Sequence, residues 1–141
     1  MILVDTNIVS ETMRHSPEGK VVSWLDSQAL ETLYLSAISL AELMLGIALM
    51  PNERRKKETG LIFADRAIEF FGARVLAFDE AAAAAYASIV SRARAVGRPI
   101  GMADGQIAAI AKAHGLLVAT RDTAPFEAAG LSVINPWNEA D

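Results

Sequence analysis

Four acidic side chains stand at points in the sequence where parallel-sheet proteins place reactive groups. Asp5 and Asp122 each follow a short apolar run, whereas Glu42 and Asp104 lie in the first or second turn of predicted helices. Carboxylates are hard oxygen ligands, and a set without Cys or His suits Mg²⁺ or Mn²⁺ better than zinc. Gathered carboxylates repel one another and raise one another's pKa, so such a cluster makes sense where cations neutralise it.

The chemistry that this kind of metal site favours is hydrolysis of a phosphodiester bond. A bound divalent cation lowers the pKa of a coordinated water and polarises the phosphoryl oxygen, and a second cation about 3.5 to 4 Å away can stabilise the leaving oxygen. The chain has no cysteine, which excludes a thiol nucleophile, a zinc-thiolate site and disulfides. Metal-assisted hydrolysis needs no covalent nucleophile.

Each of the four acids also has an ordinary structural explanation. Asp5 could cap a helix, Glu42 could face solvent, Asp104 could pair with a helix dipole and Asp122 could hold a turn. Unrelated caps would fall on one edge of one sheet only occasionally. Their common placement therefore favours a shared metal site.

The elements that must position these acids follow from the hydrophobic pattern. Apolar runs bounded by turn-forming residues predict strands at 1–4, 33–35, 74–78, 116–119 and 131–134. Helical spacing predicts helices at about 21–25, 36–49, 52–71, from the N-cap Asp79 onward, and 102–114 with Gly115 as its C′ residue. This alternation predicts a three-layer α/β/α fold with a central parallel sheet of four to five strands, whose carboxyl edge is the usual ligand site.

Length and composition predict one ordered domain spanning 1–141, because 52% of the residues are hydrophobic and 21% are charged. The MILVDTN start lacks a basic region, and no apolar stretch approaches the ~20 residues of a membrane span. We therefore expect a cytoplasmic protein with neither a signal peptide nor a membrane segment. The net charge of -4 opposes RNA binding by charge alone, but bound metal would reverse the sign locally.

Four segments that carry the acids resemble, in order, the motifs of PIN-domain nucleases. They read VDTNIVSE, SAISLAELMLG, MADGQIAAIA and VATRDTAPF. The resemblance spans nearly the whole chain. It is closest to the toxins of VapBC-type toxin–antitoxin pairs and, among them, to the FitB-like branch, to which the INPW ending is also similar.

This resemblance implies a Mg²⁺- or Mn²⁺-dependent ribonuclease toxin that acts on RNA. The positions of the family's metal-site acids fall on Asp5, Glu42, Asp104 and Asp122. The resemblance places Thr6, Asn7 and Thr120 beside them, with Thr120 helping to order the site. Many relatives have a polar residue before the aromatic residue that follows TRD. This chain has Pro125 before Phe126 instead, which removes the support for an extra ligand there.

The basic residues and histidines allow several interpretations. Arg121, beside Asp122, could hold a phosphate or pair with a neighbouring acid, and the residues alone favour neither. We assign neither His15 nor His114 to catalysis. A basic rim for RNA is a further hypothesis, although a solvated helix face is the more ordinary explanation for Arg54, Arg55, Lys56, Lys57, Arg92, Arg94 and Arg98.

The predicted helix over 36–49 carries more apolar surface than one buried face requires, and residues of the predicted helix over 52–71 add to it. Part of it packs in the core, and the remainder predicts self-association or a groove for a partner peptide. The resemblance implies both, namely a homodimer and a cognate antitoxin whose tail occupies this region. The apolar residues concerned are Leu43, Leu45, Ile47, Leu49, Met50, Leu61, Ile62 and Phe63.

Two other functions remain open at this point. Residues 5–9 nearly match the D-x-D-x-V motif of haloacid-dehalogenase-like phosphatases, but Asn7 replaces the second Asp and cannot act as general acid and base. A non-catalytic module of the same fold that binds RNA or protein is the other alternative.

Overall fold

A five-stranded parallel sheet forms the centre of the computed structural model, which describes residues 1–51 and 54–139. The strands are β1 (Ile2–Val4), β2 (Leu33–Ser36), β3 (Val75–Leu76), β4 (Leu117–Ala119) and β5 (Val133–Ile134). Their spatial order is β3-β2-β1-β4-β5, and every neighbouring pair is parallel. The predicted parallel α/β class is confirmed, with all five strands present.

The strand order reverses at β1, since the chain adds β2 and β3 on one side and β4 and β5 on the other. In the register of the central pair, Val4 lies opposite Ala119. The residues that follow β1 and β4 therefore leave the sheet side by side. Such a reversal opens a crevice at the carboxyl ends of the strands, where ligands bind in parallel sheets.

Seven α-helices within the described ranges connect or flank these strands. They are α1 (Thr6–Thr12), α2 (Gly19–Asp26), α3 (Ala37–Ala48), α4 (Arg54–Phe71), α5 (Glu80–Ala95), α6 (Met102–His114) and α7 (Ala124–Ala128). The sequence predicts the fourth helix from Asn52, but Asn52 and Glu53 lie outside the described residues, as do the side chains of Arg54 and Arg55. None of the described helices combines the length and hydropathy that crossing a membrane requires.

Alternation along β1 separates the two layers of helices. Ile2 and Val4 pack with residues of α1 to α4, whereas Leu3 points to the other face and packs with residues of α5, α6 and α7. This is the period-two pattern of a strand buried on both faces. The predicted three-layer arrangement is therefore confirmed.

Three elements differ from the sequence-based predictions. The strand predicted over 131–134 is only Val133–Ile134. The strand predicted over 74–78 is only Val75–Leu76, because Gly72–Arg74 forms a 3₁₀ turn in which Arg74 donates from Nε to the Leu33 carbonyl (2.8 Å). The sequence pattern does not predict helix α7, since five residues are too few to show helical spacing. This helix is held by the side chain of Phe126, which is fully buried.

Two helix ends follow the capping predicted for Asp79 and Gly115, and Ser36 is a further cap that was not predicted. Asp79 caps α5 by accepting a hydrogen bond from the Ala82 N–H (3.0 Å), and Ser36 caps α3 by accepting one from the Ser39 N–H (2.9 Å). Helix α6 ends at Gly115, whose φ of 65° lies in the left-handed region. These caps set where α3 and α6 meet the sheet.

The conformation of Gly115 gives a stability prediction. Gly115→Ala should lower the free energy of unfolding by about 1–2 kcal/mol, because a Cβ is unfavourable in the left-handed region. Gly46→Ala is the matched control. Gly46 lies inside α3, where an added Cβ would meet no atom within 4 Å, so this change should stabilise by about 0.5–1 kcal/mol. Urea unfolding of both variants measures the difference, and equal effects would contradict the explanation.

Candidate active site

Asp5 lies at the end of β1, where the sheet meets α1. Its backbone N–H donates to the Ala119 carbonyl (2.9 Å), which extends the β1–β4 pairing by one residue. The side chain is 6% exposed, and its Oδ1 accepts from the Thr6 N–H (2.7 Å) at the start of α1. Asp5 is thus a helix cap, as its ordinary explanation predicted. The cap occupies Oδ1, and Oδ2 is directed to a second set of contacts.

Thr120 connects the ends of the two central strands. Its buried hydroxyl donates to Asp5 Oδ2 (2.8 Å) and accepts from Asn7 Nδ2 and from the Asp122 N–H, both at 3.1 Å. A hydroxyl has one proton, so donating that proton to Asp5 leaves it only as an acceptor for the other two. This hydrogen bond orients the Asp5 carboxylate and places the backbone from which Asp122 projects.

Glu42 reaches the same edge from α3. Ser36 caps this helix directly after β2, and Glu42 follows in its second turn with an exposed side chain. Its Oε1 accepts a hydrogen bond from the Thr6 hydroxyl (2.8 Å). Thr6 therefore ties Glu42 to the same junction that holds Asp5.

Asp104 enters from the other layer, in the first turn of α6. Its neighbour Gly105 lets α6 pack closely on α5, because a Cβ there would lie 3.0 Å from Tyr86 Cε2 and 3.2 Å from Val90 Cγ2. Asp122 follows β4 and is exposed. In the described part of the chain, neither the Asp104 carboxylate nor the Asp122 carboxylate accepts a hydrogen bond. The first turn of α6 and the end of β4 place these two acids.

The acids interact electrostatically. Burial raises the pKa of Asp5; the hydrogen bonds from Thr120 and Thr6 oppose this rise, and the charges of Asp104 and Glu42 add to it. Burial likewise raises the pKa of Asp104, with further increases from the Asp122 and Glu42 charges. Each of the four predicted acids therefore acts on at least one of the others, so the fold brings them to one side of the sheet.

The donor set fits a hard divalent cation. Within 1–51 and 54–139, no three acidic or histidine side chains are arranged to hold a single ion together. Mg²⁺ usually keeps several waters and binds protein through one or two carboxylates, so a three-carboxylate cage is not required. Mutually repelling carboxylates with raised pKa values provide the oxygen donors and the negative potential that such an ion needs.

Trp137 and Asn135 belong to this edge, although the sequence does not predict their individual contacts. The Arg121 guanidinium lies over the Trp137 ring, 5.2 Å from its centroid. The Arg121 N–H donates to Asn7 Oδ1 (3.2 Å), and the Trp137 N–H donates to Asn135 Oδ1 (3.0 Å). The sequence signal for both residues is the INPW ending, which by itself indicates only the family resemblance.

Glu11 is a buried acid that the predicted site does not include. It is 4% exposed, and Arg14 Nη1 lies 3.1 Å from both of its carboxylate oxygens. Its charge is compensated within α1 and the residues that follow, unlike the charges of Asp5 and Asp104. Glu11 and Arg14 therefore form a structural ion pair.

Most of the remaining predicted residues whose side chains the structure describes lie at the surface. His15 and His114 are exposed. Among the residues of the predicted basic rim, Lys57 is partly buried, whereas the exposed ones are Lys56, Arg92, Arg94 and Arg98. The rim stays a prediction.

Comparison with known proteins gives consistent matches. A family model described as PIN domain matches residues 2–131. The chain is 50% identical to Toxin FitB of Neisseria gonorrhoeae, covering 99% of this chain and all of the relative. It is 49% identical to VapC ribonuclease Y4jK of Sinorhizobium fredii over 99% and 100% of the two chains. The crystal structure of FitAcB from Neisseria gonorrhoeae superposes with a TM-score of 0.94 at 50% identity, covering 99% of this chain and 100% of that one.

The raised pKa of Asp104 predicts how stability depends on pH. The folded protein binds this proton more tightly than the unfolded chain, whose pKa is near 3.8. Stability should therefore fall as pH rises through the interval between these two pKa values. In chelator at neutral pH, Asp104→Asn should melt a few degrees above wild type, and this difference should vanish below pH of about 4. Thermal melts across pH measure it.

Two further variants make this test specific. Asp5→Asn should gain less than Asp104→Asn, because the amide loses the carboxylate oxygen that accepts from Thr120. Asp65→Asn, an exposed change on α4, should leave the melting temperature unchanged. If Asp104→Asn melts below wild type in chelator, the explanation by repulsion is wrong.

Proposed function

The chain belongs to the PIN-domain family, and we propose that it is a metal-dependent endoribonuclease acting as the toxin of a type II toxin–antitoxin pair. The observation that carries this proposal is the Asp5–Thr120 contact at the β1–β4 junction, around which the charges of Glu42, Asp104 and Asp122 gather. Relatives named as a ribonuclease and as a toxin are about 50% identical over the whole chain. Both strand β1 and strand β5 join one sheet, which supports a single PIN domain over 1–141.

We propose that Asp5, Glu42, Asp104 and Asp122 hold Mg²⁺ or Mn²⁺. When bound, such an ion neutralises phosphate charge and supplies an activated water. The chain's own contribution is to hydrogen-bond a buried carboxylate. The hydrogen bonds that Asp5 accepts from Thr120 and Thr6 favour its charged form and oppose the rise in pKa that burial causes, and the charged form is the one that ligates a cation.

The two alternative functions receive less support. In the phosphatase alternative Asn7 would have to transfer protons, whereas its amide donates to Thr120 and its Oδ1 accepts from the Arg121 N–H. Asn7 is thus part of the framework, and membership of the PIN family argues against that alternative. A non-catalytic module would not need four interacting acids, whose mutual repulsion costs stability in the absence of metal.

An apolar groove supports the antitoxin as partner. It has a volume of about 700 Å³ and lies between α1, α2 and α4. Its lining includes Leu25, Phe63 and Phe70, with Asp26 and Arg66 as its charged members. A groove of this composition suits the apolar face of an amphipathic segment. We propose that an antitoxin segment binds here, next to the helices where the sequence predicted it.

The exposed side of α3 and α4 supports a homodimer. Leu45 is 58% exposed, Leu49 73%, and Leu61 and Ile62 are 53% each. Leu43 and Ile47 of the same pair of helices are buried, so the surplus apolar surface predicted from the sequence is present. We propose that a second copy of the chain covers it, since exposed apolar patches commonly mark interfaces.

RNA cleavage tests the nuclease proposal. Wild type should cut a labelled single-stranded RNA with Mn²⁺ or Mg²⁺ and lose this activity in EDTA. Thr120→Val removes the hydroxyl that orients Asp5 and should slow cleavage about 10- to 100-fold, as for other groups that orient metal ligands. Thr120→Ser should retain most activity.

Asp104→Asn and Asp65→Asn form the matched pair for this assay. Each removes one carboxylate charge, but only Asp104 lies at the site. The first should abolish cleavage and the second should leave it intact. Cleavage that persists in EDTA, or wild-type activity in Asp104→Asn, would refute the metal-dependent mechanism.

Light scattering tests the proposed dimer. Leu45→Glu combined with Leu61→Glu places two charges on the apolar surface, so the mass in solution should fall from dimer to monomer at micromolar concentration. Val96→Glu is the control, because Val96 is 66% exposed at the end of α5. A wild-type chain that is already monomeric would exclude the dimer without affecting the nuclease proposal.

A further inference from the structure

Arg121 is a cation beside the acidic site that does not pair with any of its acids. It directly precedes Asp122, and the charges of Asp104 and Glu42 act in the same region. In the described part of the chain, no carboxylate lies within ion-pair distance of its guanidinium. The structure therefore favours neither neutralisation of Asp122 nor any other internal ion pair.

The position of Arg121 is determined by contacts on three sides. Its N–H donates to Asn7 Oδ1 (3.2 Å), and its carbonyl accepts a long contact from Asn135 Nδ2 (3.5 Å). Its guanidinium lies over the Trp137 ring. Trp137 is itself anchored, because it packs against the core and its N–H donates to Asn135 Oδ1.

A cation–π contact leaves a guanidinium able to act. Its attraction is electrostatic and takes up none of the N–H donors of the arginine. Arg121, which lies over the Trp137 ring, therefore keeps both its charge and its donors for a planar two-point contact with phosphate. The contact with the ring also restrains the Arg121 side chain.

We propose that Arg121 binds a phosphate of the RNA backbone next to the scissile bond, and that Trp137 is the positioning residue that keeps its guanidinium available. The inference rests on the proposed nuclease function. It also addresses the net charge of -4, because a chain with this charge needs local cations where a polyanion approaches its acids.

RNA binding tests this inference without cleavage. Affinity for a fluorescein-labelled single-stranded RNA of mixed sequence is measured with Mn²⁺ at several salt concentrations, in an Asp104→Asn background that prevents cutting. Arg121→Ala should weaken binding about tenfold, the effect of losing a charge-assisted hydrogen bond. Affinity falls with salt concentration, and the slope of log affinity against log salt should become shallower by about 0.7, the value for one phosphate contact on a single strand.

Lys112→Ala is the matched charge control. Lys112 is exposed in the last turn of α6, eight positions after Asp104, and therefore about 12 Å farther along the helix axis. This variant removes the same unit of charge away from the site. It should change neither the affinity by more than twofold nor the salt slope.

Trp137 variants separate positioning from direct contact. Trp137→Leu should weaken RNA binding in the same direction as Arg121→Ala but less, and Trp137→Phe should restore it. The double variant Arg121→Ala with Trp137→Leu should bind no more weakly than Arg121→Ala alone, because Trp137 acts through the arginine. Additive losses would overturn the positioning role.

The remaining outcomes are distinct. If Arg121→Ala keeps wild-type affinity and salt slope and only melts at a lower temperature, Arg121 merely covers the Trp137 ring and the inference is wrong. Absence of RNA cleavage by wild-type protein would instead refute the proposed function. The two failures come from different measurements, since one compares affinities and the other measures hydrolysis.

Discussion

A carboxylate that is withdrawn from water must be hydrogen-bonded if it is to stay ionised, and this constraint governs the centre of the molecule. Asp5 is 6% exposed and meets it through the Thr6 N–H and the Thr120 hydroxyl. The first contact starts α1, and the second joins the end of β4 to the end of β1. One side chain thus links helix capping, strand pairing and the orientation of a proposed metal ligand, so its geometry depends on the central strands remaining in register.

The buried and partly buried acids differ in whether a nearby cation compensates their charge. Glu11 is buried and compensated by Arg14, which makes it a stabilising or neutral feature. Asp5 and Asp104 have raised pKa values, and the charges of other acids contribute to the rise. Uncompensated negative charge of this kind lowers folding stability, but it favours the binding of a cation. A cation bound there would reverse the local charge, so that a polyanionic substrate could approach these acids.

The proposed activities occupy separate surfaces of one small fold. The acids and Arg121 lie at the carboxyl edge of the sheet, whereas the apolar groove lies between α1, α2 and α4. The exposed apolar residues of α3 and α4 form a third surface. Helices α1, α3 and α4 each contribute to more than one of these surfaces. The groove and the site therefore share α1, which lines the groove and also carries Thr6 and Asn7 of the site.

Local chemistry in the sequence was sufficient to predict the five strands, the parallel three-layer class, the cap at Asp79 and the helix end at Gly115. Each depends on residues that are near one another in the chain, through hydrophobic period, turn propensity or backbone conformation. The same logic placed four acids at one edge, because all strands of a parallel sheet end on the same side. The sequence pattern did not predict the short extent of β3 or the existence of α7. A long-range contact of Arg74 limits β3, and the burial of Phe126 holds α7.

Only the tertiary structure decided how the edge is connected. The contacts of Thr120 with Asp5 and Asn7 join residues that are 115 and 113 positions apart. Whether Arg121 contacts an acid or the Trp137 ring depends on where the segment that carries Trp137 packs against the edge of the sheet. Hydrogen-bond direction and ring stacking require atoms to be within a few ångströms at defined angles. Residue types show that such contacts are possible, but packing of the whole chain determines which of them form.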